Sequence, residues 1–443
     1  MTAPGPGKLA AFAGIPRFRR DQLAGFRFGW EAYGDLYHVE VAGHDIWVCS
    51  HPDQVKEVLV DGRDVWRRIE ETSWGQPFGL RMALGEGLLT TDGSEWQWRR
   101  HLINPAFHRE LVNAMVKKMI DAGNEMIGRL EEAAATGVTV DLLSEMKRVT
   151  QDIITRTMFS ADLEHEGGKV GDAVDEALVY VARQSRSLVD LPVRLPTRAR
   201  TRFNRAMTDI DDAVYRSIRH RRQSDDHGDD LLGLLLSARD AETGDQLDDD
   251  QIRNEVATIY GAGHETTANA LTWAWHELMQ EPHVLERLQA EVDTVSLEIK
   301  ELEYTQKVLE ETLRFRPPVP INGRMATAPT RLAGYPVKYG ATAVLVVTNI
   351  HRHPEFWDRP DVFDPGRFSP QAKSDRERFA YIPFGAGPHM CIGSSFAMIE
   401  AVLLLAMMAG RFTFHPVGDL PRGQATAVTM KPEGGLPVHV EER

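Results

Sequence analysis

The stretch "VATIYGAGHETTANALTWAW", Val256 to Trp275, most constrains what this chain can become. Its glycines invite comparison with a dinucleotide-binding loop, but the position where that loop needs a third glycine is Thr266. The residues before it, "DDDQIRNEVATIY", are an acidic helix start with Ile252, Val256 and Ile259 spaced for one helix face, so helix precedes the glycines rather than strand. The pattern predicts one helix from about Asp249 to Glu281, stopped by Pro282, and roughly 45 to 50 Å long at about 1.5 Å per residue. Such a helix crosses a whole domain. A zinc-protease motif is excluded too, because His264-Glu265 would need a histidine where Ala268 stands. Gly261 and Gly263 each cost about 1 kcal/mol in mid-helix relative to Ala. Close packing of another helix or close approach of a flat ligand would explain them. An acid beside a hydroxyl, Glu265-Thr266, in so buried a helix is costly unless paired or used.

The rest of the chain fits a mainly α protein with a minor β part. Residues 36–49 alternate apolar and polar around a glycine and predict a β-hairpin, in which Cys49 is a core thiol. Residues 92–315 read mostly as helix, broken by a polar loop at 223–230. Residues 332–350 return to strand chemistry with turns at Gly334 and Gly340. No repeat interrupts this, and residues 1–443 are read as a single domain. With Lys+Arg 51 against Asp+Glu 65 the formal charge is −14, which argues against a nucleic-acid surface. The longest apolar run, "AVLLLAMMA" near residue 405, is too short for a membrane span, and the N-terminus lacks a signal pattern. The two cysteines form neither a disulfide framework nor a structural zinc site, and a reducing cytoplasm fits them. Taken alone, Cys391 could be core, nucleophile or metal ligand.

Four further stretches accompany the long helix. "EETLRFRPP", 310–318, sets Glu311 and Arg314 on one helix face, which in isolation reads as a surface ion pair. "FDPGRF", 363–368, supplies Arg367, and "GSEWQWRRHLINPAF", 93–107, puts Trp96 and Arg100 one turn apart. "FGAGPHMCIG", 384–393, holds Cys391 among glycines. In this order the set resembles the cytochrome P450 family over essentially the whole chain. The family's cysteine loop maps to Phe384, Gly387, His389, Cys391 and Gly393, its long-helix motif to Ala262, Gly263, Glu265 and Thr266, and its Glu-x-x-Arg to Glu311 and Arg314. Two departures stand out. His389 replaces the usual arginine, making any charge there pH-dependent, and the chain is short between "EVDTVSLEIK" and "ELEYTQ".

The resemblance implies the cytochrome P450 fold, with a long central helix over haem b and a small sheet on the N-terminal side. It makes Cys391 the thiolate ligand, kept ionised by a helix that Cys391 itself begins, with Gly385, Gly387 and Gly393 turning amides toward the sulfur and Phe384 shielding it. Thr266 and Glu265 become the alcohol and acid of a proton-delivery pair. Their alternative is a hydroxyl bonded to a backbone carbonyl beside a solvated glutamate. Trp96, Arg100, Arg324 and His389 stand where haem propionates are held. Glu311, Arg314 and Arg367 become a buried structural triad. Pocket candidates are Trp74, Phe78, Leu80 and Met82 in the loop Trp66–Leu89, and Val319, Ile321 and Asn322; they are mostly apolar and point to a lipophilic substrate.

The implied activity is insertion of one atom of O2 into a C–H or C=C bond by a monomer without a membrane anchor. Too few residues follow Cys391 for a fused reductase, so a ferredoxin and an NAD(P)H-dependent ferredoxin reductase are expected, with Arg99, Arg100, His101 and Arg109 as a basic docking cluster. The alternatives are a peroxide-driven or coupling enzyme of the same fold, or a haem sensor or carrier.

Overall fold

The structure is a computed structural model that describes residues 3–41, 43–69, 79–159, 167–185, 197–223, 230–239, 244–421, 424–426 and 428–443. Two compact units are interleaved in sequence. One is Met1–Ile69 with Glu310–Cys391, the other Glu70–Leu309 with Ile392–Arg443.

The first unit is built on a five-stranded sheet in the order Leu36–Val41, His44–Cys49, Thr342–Val346, Ile321–Ala326, Trp66–Arg67. The expected hairpin forms the first two strands, Leu36 pairing with Cys49 and Val41 with His44 across a turn at Gly43, φ 84°. Its second strand pairs in parallel with Thr342–Val346, so one face of the alternating pattern enters a core of Trp47, Val58, Ala343, Leu345 and Ile382. Cys49 is fully buried there. The expected strand tract at 332–350 divides. Thr330–Leu332 and Tyr335–Val337 make a two-stranded hairpin, whose turn places Ala333 and Gly334 at positive φ, and Val347–Ile350 is a helical turn rather than a strand. The extended chain ends where the Val347 N–H donates to the Pro320 carbonyl and the His351 N–H reaches back to Val347.

The second unit is helical. Its longest helix is Asp249–Leu278, opened by a capping box in which Asp248 and Gln251 each accept the other's backbone N–H, and followed after a short tail by a helix beginning at Pro282. It is buried on nearly every side. A Cβ added at Gly263 would lie 2.8 Å from Ile154 of the helix Leu142–Ile154, whereas at Gly261 the nearest atom is at 3.4 Å. Close helix packing therefore accounts for Gly263. The apolar helix Ser394–Ala409 is held as tightly, since a Cβ at Gly123 of the helix Arg109–Thr136 would meet Met407 at 2.8 Å. A three-stranded sheet, Val140–Asp141, Pro437–Glu442 and Phe412–Pro416, closes the end of this unit. The short connection noted in sequence is closed by Glu291, whose carboxylate accepts the Tyr304 N–H at 2.6 Å and the Thr305 N–H at 2.8 Å. No helix of the described residues is long and apolar enough to cross a membrane. Of the polar loop at 223–230, residues 224–229 lie outside the described residues.

Candidate functional site

In the first unit the cysteine loop is shaped by backbone geometry that few residues tolerate. Gly385 and Gly387 have φ of 75° and 70°, and a Cβ on Gly387 would sit 2.2 Å from the Leu59 carbonyl oxygen. The Cys391 N–H donates to the Phe384 carbonyl at 2.9 Å and the Met390 N–H to Gly387 at 3.2 Å, closing the loop on itself. Its outcome is an exposed thiol, in contrast to fully buried Cys49. Phe384 and His389 are half-buried beside it. The expectation that Cys391 begins the following helix needs correction. That helix starts at Ser394, capped by Gly393, whose φ of −86° is open to any residue. A small polar pair, Ser394-Ser395, opens a helix more readily than the loop residues still engaged in turns.

Behind this loop, Glu311 and Arg314 are both 0% exposed, so the surface ion-pair reading fails. Arg314 Nε and Nη2 donate to the two carboxylate oxygens of Glu311 at 2.6 and 2.7 Å. The remaining donors of Arg314 reach the carbonyls of His351, Pro360 and Val362 at 3.0, 2.8 and 3.0 Å. Glu311 also accepts the Asp364 N–H at 2.8 Å, and Arg367 Nε lies 3.6 Å from it. Arg367 donates to the Asp358 and Arg359 carbonyls. Three charges thus tie the tract 351–367 to one helix end. His351 is a member that sequence reasoning missed. Its Nε2 accepts the Ile382 N–H at 2.8 Å, just before the cysteine loop, and its Nδ1 lies 3.2 Å from the Arg314 carbonyl. Burial and the Arg314 charge lower its pKa to about 3, which keeps it neutral as this pattern requires. Arg324 is nearly buried and turns back on its own strand, donating to the side chain of Asn322 and the Gly323 carbonyl. Asn322 and Ile321 are half-buried and Val319 is exposed.

One cluster in this unit, Asp35, His51 and His353, has a metal-like composition. Its hydrogen bonds point elsewhere. His51 Nδ1 accepts the Asp53 N–H at 3.1 Å and His353 Nδ1 the Glu355 N–H at 3.3 Å, so both Nε2 atoms carry protons rather than free lone pairs.

In the second unit the long helix exposes Ala262 and half-exposes Gly263 and Thr266, while Glu265 is only 6% exposed. An otherwise buried helix therefore opens along a strip of small residues with a hydroxyl at its edge. Thr266 Oγ1 donates to the Ala262 carbonyl at 2.8 Å, and Thr267 Oγ1 to Gly263 at 3.2 Å. The carbonyl-bonded hydroxyl of the alternative reading is thus present, but its solvated glutamate is not. Trp96 and Arg100 lie one turn apart on the helix Gly93–Ile103 and line an open depression of about 260 Å³ with Gln97, His101 and Asn104. Arg99 departs from the expected surface cluster. Its side chain is buried, with Nη1 donating to Glu255 at 2.9 Å and Nη2 to Glu95 at 2.7 Å, because its place on the helix faces inward. The surface cluster reduces to Arg100, His101 and Arg109. Leu80 and Met82 are half-buried beside the short helix Arg81–Leu84; Trp74 and Phe78 lie outside the described residues. Glu400, on the helix Ser394–Ala409, was also missed. Glu400 is buried, and burial raises its carboxyl well above the usual range.

Comparison with known proteins follows the same line. The family model for cytochrome P450 matches residues 4–437. Cyclooctatin synthase of Streptomyces melanosporofaciens is 34% identical over 87% of this chain and 84% of its own length. Cyclooctat-9-en-7-ol 5-monooxygenase of the same organism is 33% identical over the same shares. The plant protein LUTEIN DEFICIENT 5 of Arabidopsis thaliana is 30% identical over 93% of this chain and 72% of its own. The crystal structure of the cytochrome P450DA heme domain superposes with a TM-score of 0.89 at 26% identity, covering 100% of this chain and 98% of that one. A match of this extent, on a chain whose exposed cysteine sits in the family's loop, leaves one assignment: the chain belongs to the cytochrome P450 family and is an oxidoreductase.

Proposed function

We propose that this chain is a single-domain haem-thiolate monooxygenase that inserts one oxygen atom of O2 into a lipophilic small molecule, by hydroxylation or epoxidation. The observation that carries this reading is the exposed thiol of Cys391 on a glycine loop braced by Leu59 and Phe384. The donor set fits haem b: one thiolate suffices where a macrocycle would supply four ligands of its own. Exposed Ala262, with half-exposed Thr266 one turn on, offers the small-residue face that a flat group needs. Bound there, haem would supply a redox-active iron at which O2 is activated.

The chain's own residues then bind, orient and move protons. Cys391 ligates through Sγ. Trp96 and Arg100 of the second unit, and Arg324 and His389 of the first, are the residues that would hold the carboxylate edge of the cofactor. Thr266 offers a proton at Oγ1 by exchanging its bond to the Ala262 carbonyl for one to the reacting oxygen, and Glu265 replaces that proton from its carboxyl. Glu311, Arg314 and Arg367 keep the cysteine loop's support rigid. Of the residues expected to contact substrate, the described ones are half-buried Leu80 and Met82 in the second unit and, in the first, half-buried Ile321 and Asn322 with exposed Val319. A lipophilic substrate is supported by the monooxygenase relative, whose name describes an unsaturated alcohol. Electrons come from a ferredoxin and an NAD(P)H-dependent reductase, in the cytoplasm, to a monomeric enzyme; exposed Arg109 and His101 with half-buried Arg100 are the basic groups for docking. The pair Glu265-Thr266 favours O2 over peroxide as oxidant.

The deciding experiment is reduction of purified protein under carbon monoxide. A strongly red-shifted Soret band, the mark of thiolate-ligated haem, is expected. A histidine-type band would sink the cysteine assignment.

A further inference from the structure

A charged residue that the chemistry above leaves unused, although the second unit buries it fully, is Glu255. It lies on the same long helix as Glu265, is fully buried, and divides its two oxygens between two different segments. Oε1 accepts the Arg99 guanidinium at 2.9 Å, and Oε2 accepts the Leu88 N–H at 3.0 Å. Each segment touches the proposed site. Arg99 belongs to the helix Gly93–Ile103, on which Trp96 and Arg100 line the open depression. Leu88 follows the helix of Met82, in a turn pressed onto the long helix. A Cβ at Gly85 would lie 2.2 Å from Asn254 Oδ1, and one at Gly87 2.3 Å from Thr258 Oγ1. The turn is further locked by Thr90 and Thr91, whose hydroxyls donate to the Gly85 and Gly87 carbonyls at 2.6 and 2.9 Å.

Of the residues this helix buries, Trp96, Arg99, Leu102 and Ile103, Arg99 is the charged one, and its directional bond to another helix constrains the roll about the axis. The bond from Arg99 to Glu255 crosses to the long helix and so sets the direction in which the neighbouring Trp96 and Arg100 point, whereas the bond from Arg99 to exposed Glu95 stays within the same helix. We infer that Glu255 is a positioning residue for the cofactor: through Arg99 it sets the helix of Trp96 and Arg100, and through Leu88 it holds the preceding turn to the same reference helix. This rests on the haem-thiolate reading. Glu255 touches no reacting atom and acts only through Arg99 and Leu88, as outer partners orient the groups that hold a metal.

The test compares wild type with Glu255→Gln, Glu255→Ala, the double variant Arg99→Gln/Glu255→Gln, and the control Glu95→Gln, all as haem-loaded full chains. Transfer of haem to excess apomyoglobin is followed by absorbance, and the propionate-bending bands are read by resonance Raman. Glu255→Gln retains an acceptor for Leu88 but strands the Arg99 charge; haem loss is expected to accelerate about tenfold, the low end for an outer partner of a metal group, with shifted propionate bands. Glu255→Ala is expected to lose haem faster still, and the double variant, which removes both charges, to recover part of the loss. Glu95→Gln should leave both readouts near wild type. Variants whose unfolding temperature falls while haem transfer stays within about twofold of wild type and propionate bands stay unmoved would overturn the inference, leaving Glu255 a purely structural group. A wild type without the thiolate band would overturn the functional reading instead, an outcome visible before any variant is made.

Discussion

Buried Arg314 commits all five N–H donors of its guanidinium: two hydrogen bonds to Glu311 at 2.6 and 2.7 Å and three to the carbonyls of His351, Pro360 and Val362. Removing either charge strands the other at 0% exposure. Arg314→Ala and Glu311→Ala are each expected to destabilise the haem-free chain by about 3 to 5 kcal/mol, measured by urea unfolding. Arg314→Lys keeps the charge but loses the fork and is expected to fall between wild type and Arg314→Ala. Losses below about 1 kcal/mol, the scale of an exposed pair, would mean that the ion pair does not brace the loop.

A second expectation separates two glycines of the cysteine loop that share a backbone conformation. Both Gly385 and Gly387 have positive φ, but only a Cβ on Gly387 meets backbone, the Leu59 carbonyl oxygen at 2.2 Å. Gly385→Ala carries the strain of its φ alone, of order 1 kcal/mol. Gly387→Ala adds a clash that only movement of the loop relieves. In the reduced carbon monoxide spectrum Gly385→Ala is expected to retain most of the thiolate band, and Gly387→Ala to lose most of it. Equal spectra from the two would show that the Leu59 contact does not hold the thiol in place.

Much of this arrangement was legible in the sequence for reasons that can be named. The long helix declared itself through apolar spacing, an acidic start and Pro282, all of them local signals. The spacing of Glu311 and Arg314 was equally plain, but their burial was not, because it is conferred by carbonyls at 351–362, remote in sequence. Arg99 was misplaced for the same reason. In a run of basic residues, which one faces inward depends on an acid supplied by another helix, Glu255. His351 carries no motif. Glu400 did leave a signal, a lone acid within the apolar run of its helix, that could have marked it as buried.

The strip on the long helix gives a third expectation. Among the described residues Thr266 Oγ1 bonds within its own helix, to the Ala262 carbonyl, so Thr266→Ala is expected to leave stability within about 0.5 kcal/mol, the usual range for a substitution away from the core. Its effect belongs to the reaction: NAD(P)H consumption should continue while product falls several-fold and hydrogen peroxide rises, and Thr266→Ser should restore coupling. Glu265→Gln is expected to lower kcat by about 10²-fold, the low end for a lost proton donor. Full coupling in Thr266→Ala would remove the hydroxyl from the proton path.

Glu400 supplies the pH dependence. Burial holds its carboxyl protonated well above the usual carboxylate range, whereas the unfolded chain releases that proton near about pH 4.3. The native state therefore binds the extra proton. Stability contributed by this group is complete below that pH and is lost as pH rises, by up to about 1.4 kcal/mol per pH unit, until the folded carboxyl itself titrates. Glu400→Gln has nearly the same shape and is neutral at every pH. Urea unfolding of the two haem-free chains between pH 5 and 8 is therefore expected to show the variant gaining on wild type as pH rises. Parallel curves over that range would mean that Glu400 is charged in the folded protein, and that a cation not seen beside it must reach its free oxygen.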